Sequence, residues 1–139
     1  MAKGFFGELP EPIRVEMSKG FKPLDSKVWF RQMANGWSER EFQARVIQLA
    51  ESLGWRVYHT HDSRRSQPGF PDLVLVHPVQ KRVVWRELKT AKGRLRPAQK
   101  EWLESLQGAG ENAAVWRPDD WTLGIIEAEL RGEVIRANG

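Results

Sequence analysis

The 139 residues contain no cysteine, which excludes disulfides and thiolate metal sites and leaves an intracellular life unconstrained by redox chemistry. No apolar run approaches the roughly 20 residues of a membrane-spanning helix, so the chain reads as soluble, with no membrane partner. Nor does an apolar stretch follow the Met1–Phe6 start, which argues against a secretory signal, and a cytoplasmic location is expected. Internal repeats and low-complexity tracts are also missing. What is present suits a single domain: 40% hydrophobic residues in a chain long enough to bury a core without staples. The net charge of +4 and a sequence pI near 9.7 are moderately basic, compatible with a phosphate-backbone partner.

The rest of the chain is organised around Gly69–Lys89. Gly-Phe-Pro-Asp-Leu-Val-Leu-Val is followed by a polar break at His77–Lys81 and then by Arg-Val-Val-Trp-Arg-Glu-Leu-Lys. Two short runs rich in β-branched and aromatic residues, separated by a proline that cannot continue a ladder, predict a β-hairpin. Alternation in the second strand puts Val83, Trp85, Glu87 and Lys89 on one face and Val84, Arg86 and Leu88 on the other. Asp72 opens a first strand that is apolar on both faces, as a central covered strand would be. The hairpin therefore brings the carboxylates of Asp72 and Glu87 together, with the Lys89 ammonium along the same face.

Two carboxylates so placed repel, and a hard divalent cation relieves them. Mg²⁺ or Mn²⁺ fits Asp72, Glu87 and the Leu88 carbonyl, with open positions for water and a phosphate oxygen. Lys89 can then orient or deprotonate an attacking water, or neutralise charge building on phosphorus. The plain alternative is a surface Glu/Lys pair on one strand beside an Asp that opens another.

Upstream, residues 1–26 carry Gly, Pro and charges with little periodicity and read as an extended arm. Asp25 or Ser26 caps a short helix from Lys27 to Ala34, ending at Asn35-Gly36. Phe21, Trp29, Phe30 and Trp37 are costly to leave in water, so the arm packs on the core or on a partner subunit. Residues 1–37 thus form the arm and 38–139 the main domain. Ser38-Glu39-Arg40-Glu41 fits a capping box with Glu41 reaching back, and Phe42, Val46, Leu49, Ala50 and Leu53 follow at helical spacing. Glu41 then has a structural task, while Glu39 is either a favourable charge at a helix N-terminus or turned to other use.

Trp55–Thr60 is a strand. His59 and His61 do not make a zinc site without a third spaced ligand, and His59 has a polar role beside the acids or is an ordinary strand histidine. Arg64 and Arg65, in the loop leading to Asp72, are phosphate-contact types or parts of a solvated loop. Lys92, Arg94 and Arg96 concentrate positive charge just past Lys89. Pro97 opens a helix that stops at Gly108-Ala109-Gly110, Ala113–Trp116 is a fourth strand, and Asp119 or Asp120 caps a last helix closed by Gly132. The order α-β-β-β-α-β-α predicts an α/β fold, a mixed sheet flanked by helices.

Pro71-Asp72 and Glu87-Leu88-Lys89 resemble the Pro-Asp…(Asp/Glu)-x-Lys pattern of the restriction-endonuclease-like nucleases. Residues 54–60, 69–73, 87–90, 93–95, 99–103 and 115–118 resemble the VRR-NUC branch of that superfamily, so the likeness runs from about Ser38 to Trp121. The resemblance implies the restriction-endonuclease-like core and a metal-dependent deoxyribonuclease. It implies catalytic residues Asp72, Glu87 and Lys89, with Glu39 as a further acid and Gln99 as an assisting amide. It also implies a homodimer that cuts branched DNA such as four-way junctions, one site per chain requiring a partner for symmetric cutting. Two alternatives stand beside it: a nucleic-acid-binding module with the fold but no chemistry, and a nuclease of the same fold that trims flaps or single strands.

Overall fold

A computed structural model describes residues 23–61 and 64–133, with side chains from Ser26 onward. Most of the N-terminal arm, with Phe21, lies outside the described residues. Helix α1 (Pro23–Asn35) is longer than the Lys27–Ala34 segment expected, and packs on α4, described below. A bidentate Arg31–Asp119 pair, both bonds 3.0 Å, ties those two helices at the surface. Ala34 and Trp37 enter the hydrophobic core, so this part of the arm covers the chain's own domain.

Helix α2 (Glu39–Ser52) is followed by β1 (Arg56–His59), β2 (Leu73–His77) and β3 (Arg82–Leu88). Then come α3 (Pro97–Gly108), β4 (Asn112–Trp116), α4 (Pro118–Thr122) and α5 (Ile125–Leu130). The sheet has the order β1-β2-β3-β4, antiparallel across the first two junctions and parallel across the last. A parallel neighbour needs a crossover, and α3 provides it. The mixed α/β fold is the one expected from the sequence. The last helix is not the single element expected, because Gly124, at φ 75°, breaks it into α4 and α5.

One face of the sheet carries the core. Leu73, Leu75, Val84, Leu88 and Trp116 meet Phe42, Val46 and Ala50 of α2 and Ile126 and Leu130 of α5. Arg86 lies on this same face, 2% exposed. Its guanidinium reaches the Asn112 carbonyl and Oδ1 at 2.9 Å and Glu129 Oε2 at 2.8 Å, and stacks 4.8 Å from the Trp116 ring. Burial pushes Arg86 down from its ordinary pKa, and the bond to Glu129 opposes that.

The opposite face is only partly covered. Helix α3 packs against β4, while Val76 and Val83 stay 39% and 40% exposed and Tyr58 of β1 62%. This corrects the expectation of a first hairpin strand covered on both faces. In β2, Leu73, Leu75 and His77 are buried, Val74 is half-buried and Val76 is exposed, the alternation of a one-sided strand. Among the described residues no helix is long and apolar enough to cross a membrane.

Candidate active site

The Gly-Phe-Pro-Asp stretch is shaped by what lies behind it. Gly69 has φ +88°, and a Cβ there would fall 2.4 Å from the Ala98 carbonyl carbon and oxygen, so glycine is required on both counts. Phe70 is wedged edge-on between Trp85 and Trp102, with ring centroids 5.9 and 5.1 Å away. Pro71 is fully buried and restricts Phe70 to extended backbone, which delivers Asp72 to the start of β2. The register Leu73↔Arg86 sets Asp72 opposite Glu87 one step further along the ladder.

There the Leu88 N–H donates to Asp72 Oδ2 at 2.7 Å, fixing the carboxylate. Glu87 is 1% exposed. Its Oε2 accepts from Gln99 Nε2 at 3.0 Å and lies 3.5 Å from Lys89 Nζ. Its Oε1 is buried with no hydrogen-bond partner among the described residues. Ligand oxygens of Glu39, Asp72 and Glu87 all lie within 4.8 Å of one another. Burial first, and the Asp72 carboxylate second, push Glu87 up from 4.5 to about 8, against the pull of Lys89. Glu39 is also raised, by burial and then by Asp72, with Lys89 and Arg96 opposing.

Three carboxylates with one buried oxygen unanswered form a donor set of hard oxygens that a divalent cation suits. The Leu88 backbone sits at the same point, fully buried at the end of β3.

Helix α2 separates its two glutamates as the capping box requires. Glu41 N–H donates to Ser38 Oγ at 3.1 Å, and Ser38 N–H donates to Glu41 Oε2 at 3.2 Å. Glu39 is left to turn toward the acids. If it serves them, Glu39→Gln lowers turnover by roughly 10–100-fold, the size of effect usual for a residue that tunes a metal site. Glu41→Ala should leave turnover near wild type and lower the melting temperature by a few degrees, the effect of about 1 kcal/mol of lost capping. Steady-state rates and melting curves of the two variants decide this, and the reverse ranking would assign the roles the other way.

Gln99 joins the acids from α3, where it is the third helical residue. Its Oε1 accepts from the Arg96 N–H at 2.9 Å, which fixes the amide so that Nε2 points at Glu87. Lys92, Arg94 and Arg96 are exposed on the segment between β3 and α3, and Arg64 and Arg65 are exposed in the loop before Gly69. Two features were missed in the sequence. Arg117 donates to the carbonyls of Thr90 (2.9 Å) and Gly93 (2.7 Å), clamping the turn that follows Lys89. His61, not His59, lines the cleft beside Asp72, and the two rings lie 4.4 Å apart. A half-buried arginine after one strand and a histidine just past another carry no local pattern that announces such contacts.

Residues 24–119, well over half of the chain, match the VRR-NUC domain family. The chain belongs to the VRR-NUC family. It is therefore a nuclease-type module of the Pro-Asp…(Asp/Glu)-x-Lys superfamily, and Glu39, Asp72, Glu87, Lys89 and Gln99 all fall inside the matched stretch. One solved VRR-NUC domain is 27% identical, with a TM-score of 0.47 over 60% of this chain and 92% of its own. No curated protein matches the chain. The match to the VRR-NUC family begins within α1, the helix that supplies Ala34 to the core.

Proposed function

We propose that the protein is a Mg²⁺- or Mn²⁺-dependent deoxyribonuclease that hydrolyses phosphodiester bonds in branched DNA as a homodimer. The observation that carries this is the buried, partnerless Glu87 Oε1 among three converging carboxylates, with a lysine 3.5 Å from the same side chain. Carboxylates beside a phosphate weaken binding, so a pure binding module has no reason to keep them there. Asp72, Glu87 and the Leu88 carbonyl would hold the cation, with Glu39 behind them. When bound, the cation supplies Lewis-acid stabilisation of a phosphate oxygen.

The chain's own residues do the rest. The Leu88 N–H holds Asp72 in one orientation, and Gln99 does the same for Glu87. Lys89 orients the attacking water or stabilises the charge that grows on the phosphate. Lys92, Arg94 and Arg96 lie where the backbone leaves the acids, and Arg64 and Arg65 offer further phosphate contacts. One acid cluster per chain needs a second copy to cut two strands symmetrically, which motivates the dimer.

The test is a panel of end-labelled four-way junctions, flaps, nicked and plain duplexes, incubated with Mg²⁺, Mn²⁺ or EDTA. Cleavage of branched DNA is expected with either metal and none with EDTA. Cleavage in EDTA, or binding without cleavage under every condition, would replace this reading with a metal-independent enzyme or a binding module. Preference for flaps over junctions would change the substrate and keep the chemistry.

A further inference from the structure

Beside the acid cluster lies a cleft of about 270 Å³, bounded by the 66–72 segment, by Thr60 and His61 at the end of β1, and by Arg96 and Gln99 at the start of α3. Asp72 belongs to both places: it is one of the three clustered acids and part of the cleft wall. A phosphate over the acids therefore has its attached sugar and base at the mouth of the cleft.

Size limits what can enter. At about 270 Å³ the cleft falls just below the roughly 300–1,000 Å³ of ordinary small-molecule pockets, enough for a nucleoside and too little for a base pair.

The lining has the chemistry of a base reader. Thr60, Ser66 and Gln67 make no side-chain hydrogen bond to any described residue, and the Gln67 amide offers both donors and an acceptor. Phe70 supplies an aromatic wall, held rigid by its contacts with Trp85 and Trp102. Gly69, seated against the Ala98 backbone, locks that wall to α3. Arg96 stands at the rim, close enough to Glu39 to pull its carboxyl down, and can meet the neighbouring phosphate. Rigid aromatic walls with unengaged polar groups are how proteins hold unstacked bases.

We propose that the cleft takes one unpaired nucleotide adjacent to the scissile phosphate, with Gln67 and Ser66 reading its base edge. This rests on the nuclease reading of the acid cluster and narrows its substrate: the DNA carries an unpaired or easily unpaired nucleotide where it is cut. Extruding a base costs least where it is already unpaired, so a branch point is favoured over plain duplex.

The test needs no turnover. A flap substrate carries 2-aminopurine at the unpaired nucleotide of the branch point, and its fluorescence is read in EDTA at saturating protein. Fluorescence anisotropy of the same DNA follows complex formation. Wild type is expected to change the 2-aminopurine signal several-fold, and a Ser66→Ala/Gln67→Ala variant that melts like wild type should lose most of that change. An unchanged signal with wild type, an equal change with the variant, or no complex at any protein concentration overturns the pocket. Cleavage of the same flap in Mn²⁺ despite such a result keeps the nuclease reading. A signal lost in the variant without any cleavage by wild type does the opposite.

Discussion

Under the proposed chemistry, Glu87→Gln is expected to cut cleavage by on the order of 10³-fold or more and, at the same time, to make the metal-free protein harder to melt at alkaline pH. The two effects share one cause. A buried carboxylate beside Asp72 is tolerable with a cation and costly without one. A glutamine in its place removes the repulsion, can accept from Gln99 and can donate toward Asp72. A residue kept for stability alone would show the opposite: loss of stability and little loss of rate.

The direction of the pH dependence follows from the raised pKa. With Glu87 near 8 in the folded chain against 4.5 ordinarily, the folded state binds the proton more tightly between those values. Its contribution is full below about 4.5 and is lost as pH rises through about 8. Glu39, also raised, adds in the same direction. Metal-free wild type should therefore melt at a lower temperature at pH 9 than at pH 6, and Glu87→Gln should flatten that slope. Added Mn²⁺ should raise the melting temperature of wild type at pH 8 and leave Glu87→Gln nearly unmoved. Differential scanning calorimetry with and without EDTA measures all of this. A variant that melts lower than wild type at pH 9, or still cuts at the wild-type rate, would remove Glu87 from the role given to it.

How much of this was legible in the sequence depends on the range of the interaction. Period-two alternation and a hairpin suffice to pair Asp72 with Glu87 and to put Lys89 on the same face, and these are local rules. The capping box, four residues from Ser38 to Glu41, tells Glu41 from Glu39 by a local pattern alone. Gln99 came only from the family likeness, because its bond to Glu87 joins a helix start to a strand end. Arg86 was assigned to the correct face, but its burial was invisible. Nothing near it in sequence says that Asn112 and Glu129, on β4 and α5, will answer its charge. The error on β2 has a similar origin. Val74 and Val76 look like core residues, yet α3 covers the β4 side of the sheet and leaves Val76 exposed.

Lys89 separates an enzyme from a binder most cleanly. Its side chain is 10% exposed, its Nζ lies 3.5 Å from Glu87 Oε2, and its N–H is tied to the Trp116 carbonyl at 3.1 Å. The turn beyond it is held by Arg117, and it is tight enough that a Cβ at Gly93 would meet Thr90 Oγ1 at 3.0 Å. In the proposed nuclease reading, a lysine so confined would act in the transition state, where charge builds on phosphate oxygens, and would contribute little to initial attraction of the backbone. Lys89→Ala should therefore bind branched DNA within a few-fold of wild type and cut it about 10²–10³ times more slowly. The exposed Lys92 and Arg94 should behave the other way. Their alanine variants bind more weakly, each flattening the salt dependence by about one phosphate contact, and recover cleavage at saturating protein. Binding across a salt series and single-turnover rates with Mn²⁺ measure both quantities. If Lys89→Ala loses affinity in proportion to rate, its charge serves the ground state, and the assignment of chemistry to this end of β3 fails with it.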